Sequence, residues 1–120
     1  MKIIPLSRDN ITEATKLIEK IFGSKPSDFD SPRKWIPASL NPKSENSKKI
    51  YSKEKVKFLK YYVGIESGEV IGTTGIYTKT NEKDTAWLAW YCVDSKYRGK
   101  GYGNILIDFV INKARKMKKN

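Results

Sequence analysis

At 120 residues, 38% hydrophobic and 31% charged, the chain has room for one core that buries roughly two-thirds of its unfolded surface. It has no histidine and a single cysteine, Cys92, which excludes histidine catalysis, histidine metal ligation, an intrachain disulfide and a cysteine-cluster zinc site. A net charge of +11 favours anionic partners, and residues 1–6 lack a signal-peptide core while no apolar run approaches membrane-spanning length, which predicts a soluble cytoplasmic protein.

Residues 2–6 suit a short edge strand, where Pro5 costs least. Asp9 or Asn10 caps the helix that follows, and Asn10 with Glu13 has capping-box spacing. Ile11, Ala14, Leu17, Ile18, Ile21 and Phe22 form one apolar stripe through that helix, and Gly23 stops it. Prolines 26, 32, 37 and 42 divide residues 24–42 into short pieces, with one or two helical turns over 33–40. Residues 41–57 are rich in lysine and serine with little periodicity, which predicts a loop or an exposed, mobile helix.

Tyr61, Val63 and Ile65 alternate along one face of a strand over residues 59–66. Ser67 and Gly68 make a tight hairpin turn, and the next strand, 70–78, is thinned by Gly72 and Gly75. Residues 81–84 turn the chain again into a strand over 86–93. Its apolar side chains on both faces predict burial on both sides.

That last strand leads through Asp94, Ser95 and Lys96 to Tyr97, Arg98, Gly99, Lys100, Gly101, Tyr102 and Gly103. A helix follows, with an apolar stripe of Ile105, Leu106, Phe109, Val110, Ala114 and Met117. A strand, a glycine turn and a helix start together make a phosphate pocket. Amides at a helix N-terminus have no partner within the helix, and the helix dipole adds partial positive charge there. The glycines let an anion approach the backbone and permit angles that other residues resist. A Walker loop would need lysine and then serine or threonine after its last glycine, where Asn104 and Ile105 stand. A dinucleotide fingerprint would need glycine in place of Arg98 and an acidic residue on a later strand.

What fits is Arg-x-x-Gly-x-Gly over residues 98–103, preceded by a strand ending at Val93 and by Tyr97. This resembles the acetyl-coenzyme A site of the GNAT family of N-acetyltransferases. The resemblance implies an α+β fold of sandwich-like character: a mixed sheet whose antiparallel meander leads into the cofactor-binding helix. It covers residues 1–120 as a single domain, with the family's C-terminal strands missing. The chain is then either a truncated product, or it forms a homodimer in which a second copy completes the sheet.

The implied activity is direct transfer of acetyl from acetyl-coenzyme A to an amine through a tetrahedral intermediate, with no metal. The backbone of Arg98, Gly99, Lys100, Gly101, Tyr102, Gly103 and Asn104 would hold the pyrophosphate. The strand segment Tyr91, Cys92 and Val93 would hold the pantetheine arm through the backbone of Tyr91 and Val93, with the Tyr91 N–H as oxyanion donor. Phe29 and Trp35 would line the acceptor pocket, with Ile36 beside them, although an aromatic at Trp35 also suits plain packing. The acceptor is a small molecule or a peptide amine.

Family members often carry glutamate or histidine where Trp87 stands, and tryptophan cannot take a proton. Glu66, Glu69, Glu82 and Asp84 are nearby carboxylates that could act through water. Tyr77, Tyr91 and Tyr97 are available as acids, but none matches the family position. Cys92, in an apolar strand and without a histidine partner, reads as structural rather than nucleophilic. Two other classes fit the composition. A coenzyme A-binding module without turnover agrees with Trp87. A nucleic-acid-binding domain agrees with the charge, but the aromatics are not interleaved with the basic runs, so this partner is not favoured.

Overall fold

The computed structural model describes residues 1–23 and 32–117. β1 (Lys2–Pro5), β2 (Val56–Glu66), β3 (Glu69–Lys79) and β4 (Glu82–Leu88) form an antiparallel sheet in that order, and β5 (Cys92–Val93) pairs with β3 beyond the end of β4. The β2–β3 hairpin turns on Ser67 and Gly68, at φ 52° and 78°. Such left-handed angles match the twist of the flanking strands. β4 begins at Glu82, so the second turn is shorter than the expected 81–84.

Helices α1 (Ile11–Phe22), α2 (Pro32–Leu40) and α3 (Glu45–Lys53) pack against one face of the sheet, and α4 (Tyr102–Lys116) against the other. Ala14, Leu17 and Ile18 of α1 join Ile36, Ile50, Leu59 and Val63 in the core. The sheet is thin where α4 crosses it. A Cβ at Gly72 would lie 2.8 Å from a Leu106 methyl, so the glycine is what admits the helix. Leu106 and Val110 are buried there, and Phe109 meets Tyr62 edge-on at 4.8 Å. Ile105, predicted to lie in the buried stripe, is 47% exposed. α4 covers β3, and no strand among the described residues lies beyond to cover its flank.

Two local expectations fail because another partner competes, a neighbour for Asn10 and a distant strand for Glu13. Asn10 occupies the N-cap but does not cap: its Oδ1 accepts from the Ser7 N–H at 2.8 Å and its Nδ2 donates to the Pro5 carbonyl at 3.3 Å. Glu13 does not reach back either. Its Oε2 accepts from the Val70 N–H at 2.6 Å, tying α1 to β3 across 57 positions. Residues 41–57 are likewise not an exposed segment throughout. Ser44 caps α3 by accepting from the Ser47 N–H at 3.2 Å, and Ile50 is buried in the core. No helix among the described residues is long and apolar enough to cross a membrane.

The contact between Glu13 and Val70 generates a stability prediction. Glu13→Ala leaves the Val70 amide without its acceptor and should lower unfolding free energy by about 1–3 kcal/mol. Urea titration reads this as a lower midpoint at unchanged slope, and an unchanged midpoint would refute it.

Candidate functional site

The strand predicted over 86–93 is interrupted, and the interruption makes the site. The Ala89 N–H donates to the Gly75 carbonyl at 2.9 Å, and pairing resumes with Cys92 opposite Thr73. Trp90 and Tyr91 therefore share the single partner position Thr74, a β-bulge, with Trp90 at φ 39°. Thr73 fastens it: its hydroxyl donates to the Trp90 carbonyl at 2.6 Å. Cys92 Sγ lies 3.2 Å from Thr73 Oγ1. A hydroxyl has one proton, so here the thiol is the donor to Thr73. Burial pushes the Cys92 thiol up, in keeping with a packing residue.

The extra residue also reverses which amides face outward. In the upstream register the amides of 89, 91 and 93 would all point into β3. Beyond the bulge, the Asp94 N–H donates to the Ile71 carbonyl at 2.7 Å, so Cys92 and Asp94 point inward. By the alternation of an antiparallel ladder, Tyr91 and Val93 turn to the outer edge. No strand occupies that edge among the described residues, and Trp87 and Leu88 are 41% and 50% exposed, contrary to the burial expected on both faces.

The glycine turn continues from this edge. Asp94 caps a short 3-10 turn, Ser95–Tyr97, by accepting from the Lys96 N–H at 3.0 Å. Gly99 and Gly101 stand at φ 80° and 83°, and a Cβ at either would meet nothing within 4 Å, so backbone angle rather than space demands glycine. The first hydrogen bond within α4 runs from the Ile105 N–H to the Gly101 carbonyl at 3.2 Å. The amides of Tyr102, Gly103 and Asn104 precede it, and those are the orphans of a helix start. At Gly103 space is the constraint, because a Cβ would lie 2.5 Å from Tyr91 Oη.

Several predicted residues act as struts. The Arg98 amide is directed to the Ser95 carbonyl at 3.5 Å, and its side-chain Nε donates to the outward Val93 carbonyl at 3.0 Å. Lys100 Nζ sits 5.4 Å over the Tyr97 ring. The Tyr102 hydroxyl donates to Glu66 at 2.8 Å, and the Met1 ammonium lies 3.0 Å from the same carboxylate oxygen. Hydrogen bonds from that ammonium and from Tyr102 hold the Glu66 carboxyl below its ordinary range. Glu66 is thereby committed to holding the helix start.

Two cavities flank the bulge. One, of about 370 Å³, is lined by Tyr91, Cys92, Val93, Tyr97, Arg98, Gly99 and Gly103, with Ile21 and Phe22 from α1 closing it. The other, of about 360 Å³, is lined by Trp90 of the bulge and by Leu88 and Ala89 before it, with Trp35, Glu54, Tyr61, Tyr77 and Lys79. Trp35 thus reaches the second cavity, while Phe29 lies outside the described residues. Ile36 is in the core. Glu69, Glu82 and Asp84 line neither cavity. Sequence reasoning missed Glu54, Tyr61 and Tyr77 as wall residues. Tyr77 was named only as an available acid, and Glu54 sits in a lysine-rich run with no periodic signal.

The profile of the acetyltransferase (GNAT) family matches residues 27–120. No curated protein matches the sequence. Among solved structures, an aminoglycoside 6'-N-acetyltransferase complexed with coenzyme A superposes with a TM-score of 0.70 at 15% identity, over 99% of this chain and 58% of that one. A GNAT-family acetyltransferase from Staphylococcus aureus Mu50 gives 0.61 at 20% identity, over 96% and 66%. An N-acetylglutamate synthase from Neisseria gonorrhoeae, complexed with coenzyme A and L-arginine, gives 0.64 at 17%, over 98% and 22%. These likenesses are of fold, and the chain spans about three-fifths of the first two proteins.

Thr73→Val keeps the shape and removes the hydroxyl, stranding the Trp90 carbonyl. Stability should fall by about 1–3 kcal/mol. Urea titration reads this as a lower midpoint at unchanged slope, and an unchanged midpoint would show that Thr73 does not hold the bulge.

Proposed function

Because the chain belongs to the GNAT acetyltransferase family, we propose that it transfers acetyl from acetyl-coenzyme A to an amine. The observation that carries this reading is the junction at the bulge: Tyr91 walls one cavity and Trp90 the other. A donor and an acceptor seated in those cavities would approach each other across two adjacent residues.

The first cavity fits coenzyme A on its own geometry. Orphan amides at the start of α4, two glycines with left-handed backbone and the close pass of Tyr91 over Gly103 form a cradle that side chains would fill. The Gly99, Lys100, Gly101, Tyr102, Gly103 and Asn104 amides would take the diphosphate. The outward Tyr91 and Val93 amides would pair with the pantetheine arm, and Arg98 restrains that edge through the Val93 carbonyl. When bound, acetyl-coenzyme A supplies an activated acetyl thioester.

The chain's contribution to the reaction is positional and electrostatic. The Tyr91 N–H would donate to the acetyl oxygen as negative charge develops there, and one such donor contributes ~2.7–4 kcal/mol to an acyl-transfer barrier. α1 closes the cavity with Ile21 and Phe22, and Phe22 meets Trp90 edge-on at 5.3 Å, which keeps the walls apolar at the junction. We read residues 1–120 as one unit for this purpose. A coenzyme A-binding module without turnover is the second reading. Trp87 favours it, because an indole stands on the site strand where a proton acceptor would serve.

Calorimetry with coenzyme A tests the cradle. Gly101→Val forces a β-branched residue to φ 83°, at a cost of about 1–3 kcal/mol. The dissociation constant should rise about 10- to 100-fold with the circular dichroism spectrum unchanged. Retained affinity would refute the cradle. Thiol release from acetyl-coenzyme A with an amine present separates transfer from binding alone, since a module without turnover would bind and release none.

A further inference from the structure

The second cavity is built for a particular kind of amine. Trp35 meets Tyr77 edge-on at 5.7 Å, and Tyr77 stacks on Trp87 at 6.1 Å. The Tyr61 ring lies flat on β3, where a Cβ at Gly75 would come 2.5 Å from it. Trp35, Tyr61, Tyr77 and Trp90 make an aromatic wall. Glu54, the C-cap residue of α3, is the carboxylate among the lining residues, and Lys79 is the cation. Lys79 Nζ sits 5.5 Å over the Trp87 ring, so its charge is drawn to the outer strand. Trp35 Nε1 and Tyr61 Oη are buried without a hydrogen-bond partner on side chains that line the cavity. Burial pushes the Tyr61 phenol well up, with Tyr77 and Tyr51 adding to it, so the group remains a neutral hydroxyl.

From this arrangement we infer that the acceptor is a small amine with one positive charge and a flat apolar body, its ammonium facing Glu54 and its body lying on Trp35, Tyr61, Tyr77 and Trp90. The inference rests on the acetyl-transfer reading for what is done to the amine, while recognition of the amine can be measured separately. Aromatic faces attract a cation and cover a planar body. The volume stands at the low end of small-molecule sites. One carboxylate balances one ammonium, and a surface of net charge +11 repels a polycation.

The test titrates 2-phenylethylamine, spermidine and kanamycin onto the full chain by calorimetry, with and without coenzyme A. We expect 2-phenylethylamine to bind at least about tenfold more tightly than either polycation. Glu54→Gln should weaken it about 10- to 100-fold, the loss of one charge-assisted contact, with coenzyme A affinity unchanged as evidence of an intact fold. Tighter binding of spermidine or kanamycin, equal binding by the variant, or no heat from 2-phenylethylamine at millimolar concentration would each overturn the inference. Binding of 2-phenylethylamine without thiol release from acetyl-coenzyme A would uphold the pocket and overturn the transfer reading.

Discussion

A single hydroxyl proton, given by Thr73 to the carbonyl of Trp90, decides how the edge of this sheet is presented. A strand that slips by one residue exchanges its two faces. The bulge inserts that slip at residues 90 and 91 and holds it there. Upstream, the ladder belongs wholly to β3. Downstream, the same alternation turns the amides of Tyr91 and Val93 outward, where no strand among the described residues competes for them. The outward amides are thus produced by a packing irregularity, and no dedicated polar side chain is required to present them.

The surrounding elements fix where this edge and the start of α4 sit. Gly72 lets Leu106 settle on the sheet, which sets the height of α4 and so of the amides at its start. Tyr102 reaches Glu66 at the β2–β3 turn, fastening the first residue of α4 to that end of the sheet. On the other face, Lys20 in the last turn of α1 comes within 4.0 Å of Asp94, the cap of the 3-10 turn. An exposed pair of this kind contributes little to stability. Its place between α1 and the turn matters more, because Ile21 and Phe22 follow directly and close the first cavity.

What could be read without coordinates was whatever a local rule governs. The hairpin at Ser67 and Gly68, the stop at Gly23 and the left-handed glycines 99 and 101 all answer to backbone sterics of neighbouring residues. The buried stripe of α1 answers to helical period. Apart from the Asn10 cap, lost to its neighbours Ser7 and Pro5, what failed was decided by partners far away in sequence. Glu13 has the right spacing to cap its own helix, yet Val70 takes it. Residues 45–53 show little stripe because one buried isoleucine, Ile50, anchors that helix. Nothing in the run Trp87 to Val93 marks Trp90 as the bulged residue, since continuous apolar character is what an unbroken buried strand would also show. Among the candidate-site residues, the backbone of the glycine turn was therefore legible, whereas Glu54 and Tyr61 were assembled by topology from segments with no shared motif.

Trp90 carries a further implication. A bulky side chain at φ 39° is held where glycine would sit at ease, against a resistance of about 1–3 kcal/mol that the neighbouring contacts must overcome. Glycine there would relax the chain but erase the ring that leans on Phe22 and walls the second cavity. Selection for thermal robustness and selection for a shaped interior would choose different letters at this position. The letter present is the one that a purely stability-driven redesign would be quickest to discard.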